Sequence, residues 1–512
     1  MNSIQLSLFS SRIDAVCEEM GAVLQRAAFS TNIKDRLDFS CAVFDREGEL
    51  CAQAAHIPVH LGSMAYAMRG IVSQFDWQSG DMVVLNDPFM GGTHLPDVTV
   101  IAPLFSSESL TGFVANRAHH ADIGADSPGS MPISTHVDQE GMVISPRYLL
   151  KSGVKEPQFF EELARNLQDQ AGVHGDFIAQ ISSCNIGIRR LEKLVLMMGE
   201  VAYLQGLIEL NSYGERLAIK ALSRIKEGVY HFSDVMDDDG VSAKSIPMQV
   251  AVRVENQKVV VDFAGTSPQV EGNVNCPISV AAAAVYYVFC ALMPDNAPTC
   301  AGLFRPVAVL APEGSLLNAR YPAAVAAGNV ETSSRVVDVV IGALSKALPG
   351  EMPAASHGSM NNLAMGSRDK GFEWDYYETI GGGMGASSRS HGLDAIQTHM
   401  TNTLNTPIEA LEMTFPVRIN RYEIRRGSGG EGLHRGGDGI IREYQFLKPA
   451  QVTILSERRN HAPWGLARGK SGEAGENRLN GKLLPAKTSL ALQLGDVITI
   501  KTAGGGGWGS SE

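Results

Sequence analysis

Apolar residues recur at helical spacing through residues 3–27, at Phe9, Ile13, Val16, Met20 and Leu24, with Ser3 placed to cap the start. The pattern then changes period. Residues 39–44 and 50–54 flank a polar turn at 45–48 and predict a β-hairpin. Residues 81–86 (DMVVLN), 97–105 (DVTVIAPLF) and 111–119 (TGFVANRAH) predict three further strands. The first two of these strands are joined by DPFMGGTHLP, a loop punctuated by proline and glycine. Residues 157–228 return to helical spacing, and residues 250–263 alternate again as strands. Residues 280–293 (VAAAAVYYVFCALM) are too short to span a bilayer and predict a buried helix. The second half is broken by glycine strings with short β segments such as QVTILSE and GDVITIK between them. The expected fold is α+β: an antiparallel-sheet-rich N-terminal region, a helical segment and a β-rich C-terminal region. Three regions are expected, at residues 1–228, 229–350 and 351–512.

Composition narrows the function classes. The chain has 512 residues and a net charge of −12, with no long basic run, so a nucleic-acid surface is not expected. Asp14, Glu18 and Glu19 interrupt the first thirty residues where a signal peptide needs an apolar stretch. Seven cysteines without a CxxC pair argue against a disulfide framework or a cysteine zinc site. The expectation is a cytoplasmic protein with no membrane partner.

The chemistry concentrates in one stretch. Of thirteen histidines, His56, His60, His94, His119, His120 and His136 lie within residues 56–136, among Asp87, Asp97, Asp122 and Asp126. Imidazole and carboxylate together are the ligand set of a zinc or manganese ion. If strands 97–105 and 111–119 form an antiparallel hairpin, Phe105 faces Thr111 at the turn and Asp97 faces His119 at the far end. Opposed residues have Cβ atoms about 4.5–5.5 Å apart on one sheet face, close enough to share an ion. His94 precedes Asp97 by three residues, and the loop can fold it back onto the same point. The competing reading is that HLPD is a turn and HHAD a solvated strand end. GLARGKS (465–471) lacks the spacing of a P-loop, and GGGMGA (381–386) reads as a tight backbone turn. TAGGGGWG reads as a close-packed terminus. No GxSxG elbow occurs and no cysteine sits in an evident His-paired setting, so metal-assisted chemistry, with a metal-bound water or a metal-polarised carbonyl, is the expected enzyme reading.

The strings GDMVVLNDPFMGGTHLPDVTVIAPLF, ANRAHHADIGADSPGSMP, RLDFSCAVFD, YPAAVAAGNVETSSRVVDVV, HGSMNNLAMG, ETIGGGMGA, HMTNTLNTPIEALE and RRGSGGEGLHRGGDGIIREY resemble the hydantoinase B/oxoprolinase family, in order and across nearly the whole chain. The resemblance implies a metal site at His94, Asp97 and His119, with Asp38 of the early RLDFS string as a fourth ligand. His120, Asp122 and Asp87 are then expected to orient ligands or substrate, or alternatively to cap turns. It also implies ATP-dependent opening of a small cyclic amide, such as a hydantoin, oxoproline or lactam. ATP is then bound by a larger, actin-like hydantoinase A-type subunit, with two copies of each chain. Alternatives are a subunit of an acetone-type ketone carboxylase, or a noncatalytic scaffold with a structural metal. Glu331, Asn329, His357, Asn361 and Asn362 lie in family-like strings and are candidates for substrate or partner contacts, or simply satisfied loop residues.

Overall fold

Helix Ser3–Ala27 buries Phe9, Ile13, Val16, Met20 and Leu24, the stripe that its spacing predicts. Its cap is Asn2 rather than Ser3. The Asn2 side-chain oxygen accepts from the Gln5 backbone at 2.9 Å, and the Gln5 side chain accepts from the Asn2 backbone at 3.0 Å. This reciprocal box satisfies two amides that the helix itself cannot. The computed structural model describes residues 1–55, 57–167 and 170–510, so His56 lies outside the described residues.

The fold is α+β. The first sheet has seven strands: β1 (Phe39–Phe44), β2 (Leu50–Ala55), β3 (Met82–Leu85), β4 (Asp97–Ser106), β5 (Ser109–His119), β6 (Arg147–Lys151) and β7 (Val154–Lys155). Their order is β2-β1-β5-β4-β3-β6-β7, and every pairing is antiparallel. Val98, Val100, Ala102 and Leu104 point to one face, which Ser3–Ala27 and Gln170–Met198 cover. Ile101, Phe113 and Ala115 point to the other, against helix Pro58–Val72.

Asp97 pairs with His119 as the hairpin reading predicts, but the tip differs. The turn is shorter than expected, and Phe105 pairs with Leu110 rather than Thr111. A bulge then restores the predicted register from Leu104–Gly112 onward. The Thr111 hydroxyl donates to the Leu104 carbonyl at 3.1 Å across this bulge.

The second sheet, β8 (Gly228–Asp238), β9 (Lys244–Glu255), β10 (Lys258–Asp262) and β11 (Val307–Leu310), has order β11-β10-β9-β8. Helices Ile278–Cys290 and Ser333–Ala347 pack beside it in the largest core. Ile278–Cys290 also packs on Pro58–Val72. A Cβ at Gly62 would stand 2.6 Å from the Ala283 Cα, so this helix contact needs glycine. No described helix is long and apolar enough to cross a membrane.

The C-terminal part holds a four-stranded and a five-stranded antiparallel sheet. The first includes β12 (Asn362–Ser367) and β13 (Trp374–Glu378). The glycine strings pack backbone on backbone: Gly505 N donates to Gly437 O at 2.9 Å, and Gly437 N donates to Met384 O at 2.8 Å. A Cβ at Gly505 would lie 2.0 Å from Met384 O. The GGGMGA string therefore serves close approach rather than a turn.

Candidate metal centre

The loop between β3 and β4 is pinned at its base. The Asn86 amide donates to Leu95 O (2.8 Å) and Met142 O (3.0 Å), and its carbonyl accepts from Ile144 N (2.6 Å). Arg117 braces the far side through Thr99 (2.8 Å), Ser63 (2.6 Å) and Gly91 O (3.2 Å). The loop ends in a turn, with Asp97 N donating to His94 O at 3.1 Å. These constraints bring His94 back over the first residue of β4.

His94, Asp97 and His119 converge, each buried, with ligand atoms within 4.8 Å of one another. Asp97 Oδ1 lies 3.3 Å from His94 Nε2 and 3.2 Å from His119 Nδ1. Two atoms bound tetrahedrally to one ion at about 2.0–2.1 Å are separated by about 3.3–3.4 Å. Asp97 Oδ2 is occupied otherwise: it accepts from the Thr93 hydroxyl (2.7 Å) and the Asn329 amide (3.1 Å), with His60 Nε2 at 3.4 Å. The carboxylate is thus oriented with one oxygen toward the two imidazoles.

The tautomer of His94 makes the case sharper. His94 Nδ1 is 3.1 Å from Ala326 O, which can only accept, so Nδ1 carries a proton. A neutral ring then aims a lone pair at Asp97 Oδ1, an arrangement that needs a proton or a cation between the two atoms. Burial opposes charge on His94, but the Asp97 carboxylate outweighs it and raises the imidazole pKa. Burial likewise raises Asp97, yet His94, His60 and His119 hold it well below the usual carboxylate range. Burial pushes His119 down. The donor set, the spacing and the lone-pair direction fit a divalent ion.

Glu140 supports this arrangement from behind. Its carboxylate accepts from Val325 N and Ala326 N, both at 2.9 Å, fixing the carbonyl that orients His94. Burial raises its pKa to about 7.

Asp38 is buried and lines the same cavity, 3.8 Å from Arg36, although it is not one of the three converging residues. His120 points to the opposite sheet face, where its Nε2 meets Gln180 Oε1 at 3.0 Å. Asp87 accepts from Phe89 N (3.0 Å) and Ser145 (2.9 Å), capping a short turn. Asp122 accepts from Gly124 N at 2.8 Å. None of these three lines the cavity. Asn329 touches Asp97, whereas Glu331 and Asn362 sit one layer behind.

The rest of the lining comes from distant sequence. Tyr377 on β13 stacks on His119 at 4.8 Å between ring centres, with Thr379, Thr401 and Thr403 beside it. Ile57, Val59, Val330 and Met360 supply an apolar wall. The cavity they leave is about 20 Å³, near the volume that one water molecule needs. Sequence reasoning did not place His60, Thr93, Tyr377 or the threonines in the site. Thr93, Thr379, Thr401 and Thr403 stand in the family-like strings, and that was the available signal.

Residues 2–511 match the sequence profile of the family described as Hydantoinase B/oxoprolinase. An uncharacterized protein of Methanocaldococcus jannaschii is 39% identical, the match covering 100% of this chain and 91% of that one. 5-Oxoprolinase 1 of Arabidopsis thaliana is also 39% identical, covering 99% of this chain but only 42% of the longer relative. Several other relatives named 5-oxoprolinase are likewise matched over about two fifths of their length. Among solved structures, the ATP-dependent caprolactamase from Pseudomonas jessenii superimposes with a TM-score of 0.91 at 27% identity, covering 100% of this chain and 91% of that one.

Proposed function

The chain belongs to the hydantoinase B/oxoprolinase family, and from that premise we propose that it is the metal-binding catalytic subunit of an ATP-dependent hydrolase that opens cyclic amides of the hydantoin, oxoproline or lactam type. The observation that carries the reading is the meeting of His94 Nε2, His119 Nδ1 and Asp97 Oδ1 at the edge of a buried cavity. A ligand set that borders a cavity leaves room for an exchangeable ligand, which suits a catalytic ion better than a closed structural one. Zinc and manganese both accept this donor set, and Asp38 is the proposed fourth ligand.

A divalent ion held there by His94, Asp97 and His119 would supply Lewis-acid chemistry at the cavity edge. The chain's own residues do the rest. Thr93, Asn329 and His60 hold Asp97 through Oδ2, so that Oδ1 faces the ligand position. Ala326 fixes the His94 tautomer, and Tyr377 covers His119 and keeps bulk water away.

ATP is assigned to a separate A-type subunit. In support, the archaeal relative is matched over nearly its whole length, whereas the 5-oxoprolinases carry this sequence within a chain more than twice as long. A paired assembly with two copies of each subunit is the proposed form.

The test uses the complex purified with its partner subunit. Elemental analysis is expected to find one divalent ion per chain. His94→Ala and His119→Ala are expected to lose that ion and ATP-dependent ring opening together. Full ring opening by metal-free His94→Ala would end the reading. Turnover of a ketone with bicarbonate, and none of a cyclic amide, would reassign the site to carboxylation.

A further inference from the structure

We propose that Asn329 and the Thr379–Thr403 pair read the two ends of a cis secondary amide, making the enzyme selective for cyclic amides whose reacting nitrogen bears hydrogen. The inference rests on the cyclic-amide reading above and specifies its substrate. It follows from a count of hydrogens. Asn329 lies in a π-turn, Gly328–Thr332, immediately before helix Ser333–Ala347. Such turns recur at functional sites, where they redirect a side chain. The Asn329 amide nitrogen donates to Asp97 Oδ2, but Oδ1 is buried and has no donor. A buried acceptor left unpaired is costly and rare, and this one belongs to a cavity-lining residue.

The complementary group is a hydroxyl hydrogen. Thr379 and Thr403 both line the cavity, with their hydroxyl oxygens 2.5 Å apart. Arg36 Nη2 stands 3.4 Å from each and can only donate to them. The bond between the two hydroxyls uses one of their two hydrogens. The other hydrogen has no protein acceptor in these contacts. Apart from Nε2 of His94 and of His119, which belong to the triad, the described lining thus offers an unpaired acceptor on Asn329 and a hydroxyl hydrogen on the threonine pair.

A lactam or hydantoin ring is larger than this one-water cavity, so the lining must part to admit it. Its amide edge then presents the matching pair. Ring closure forces the amide cis, so its C=O and N–H point to the same side. The threonine hydrogen suits the carbonyl oxygen, and Asn329 Oδ1 suits the N–H. A nitrogen carrying an alkyl group has no hydrogen for Asn329 and leaves Oδ1 buried and unpaired. Sites built around such a bond reject analogues lacking it far more strongly than apolar pockets reject an extra methylene.

The experiment measures ATP-dependent opening of hydantoin, 5-oxoproline and ε-caprolactam by the wild-type complex, each beside its counterpart methylated on the reacting nitrogen. For whichever ring is opened, the N–H compound is expected to exceed the N-methyl one by about 100-fold or more in kcat/KM. Asn329→Leu, checked for retained metal, is expected to lower that ratio to about tenfold or less. The Thr379→Val, Thr403→Val double variant is expected to lower kcat for the N–H substrate while preserving the ratio. Comparable wild-type rates on both members of a pair would overturn the inference, as would an unchanged ratio in metal-replete Asn329→Leu. If Asn329→Leu does not hold metal, the wild-type comparison and the double variant still decide. A complex that opens no cyclic amide at all would refute the functional reading instead.

Discussion

Glu331 allows a quantitative test of the layer behind the cavity. Its Oε1 accepts from Asn362 at 2.7 Å and from Met360 N at 3.0 Å, and Asn362 in turn accepts from the Tyr377 hydroxyl at 2.6 Å. The side chain is fully buried, and burial, aided by repulsion from Glu457, raises its pKa from 4.5 to about 7. The folded protein therefore binds a proton here that the unfolded chain has released between these two values. Stability contributed by this group is present at low pH and lost as pH rises through about 7, a loss of about 3 kcal/mol in all. About 2 kcal/mol of that falls between pH 5.5 and 8.5. Glu331→Gln is neutral at both pH values and keeps the acceptor for Asn362 and Met360. Relative to wild type, it is expected to gain about 2 kcal/mol on moving from pH 5.5 to 8.5. For a chain of this length, unfolding as one unit, that is roughly 2 °C in Tm. Melting both proteins at one scan rate and both pH values measures the difference directly. A Tm difference that is the same at both pH values, or that moves the other way, would refute the buried-acid assignment.

Other perturbations separate support from contact. Thr93→Val removes the shortest donor to Asp97 Oδ2; metal affinity, measured by competition with a chelator, should fall about 10–100-fold. Tyr377→Phe keeps the ring on His119 but leaves the Asn362 carbonyl without its donor. It should cost about 1–3 kcal/mol in stability with metal content unchanged. Gly505→Ala places a Cβ 2.0 Å from Met384 O, whereas Gly495→Ala meets nothing within 4 Å and bears only a positive φ of 91°. The first should lose more than about 4 kcal/mol or fail to yield soluble protein, and the second should lose about 1–2 kcal/mol.

Half of the site was legible because it is local. Asp97 and His119 are joined by one hairpin, and a period of two decides whether they share a face. That inference survived a wrong turn. The real turn is shorter, and without compensation every side chain of β5 would have swapped faces relative to β4. The bulge at Thr111 inserts the one residue that returns Asp97 to His119. Its signal in the sequence is slight, a threonine able to bond back to Leu104, so the correct pairing was reached without seeing how it is achieved.

The other half has no local period to read. Asn329 reaches Asp97 across 232 positions, and Tyr377 reaches His119 from the C-terminal sheet. Those contacts depend on how the second and third sheets pack against the first. The packing runs through whole helices, such as Ile278–Cys290 held against Pro58–Val72 at Gly62. A histidine pattern can nominate ligands, but it does not show what faces them. What faces them here is the wall with a spare acceptor and a spare donor. On the reading proposed above, the triad sets the type of chemistry and the distant wall sets the substrate. Members of this family that share the triad should therefore differ in the ring they open according to Asn329, Thr379, Thr403 and their neighbours. Exchanging those wall residues between two such enzymes, with the metal triad untouched, should transfer ring preference while leaving metal affinity unchanged.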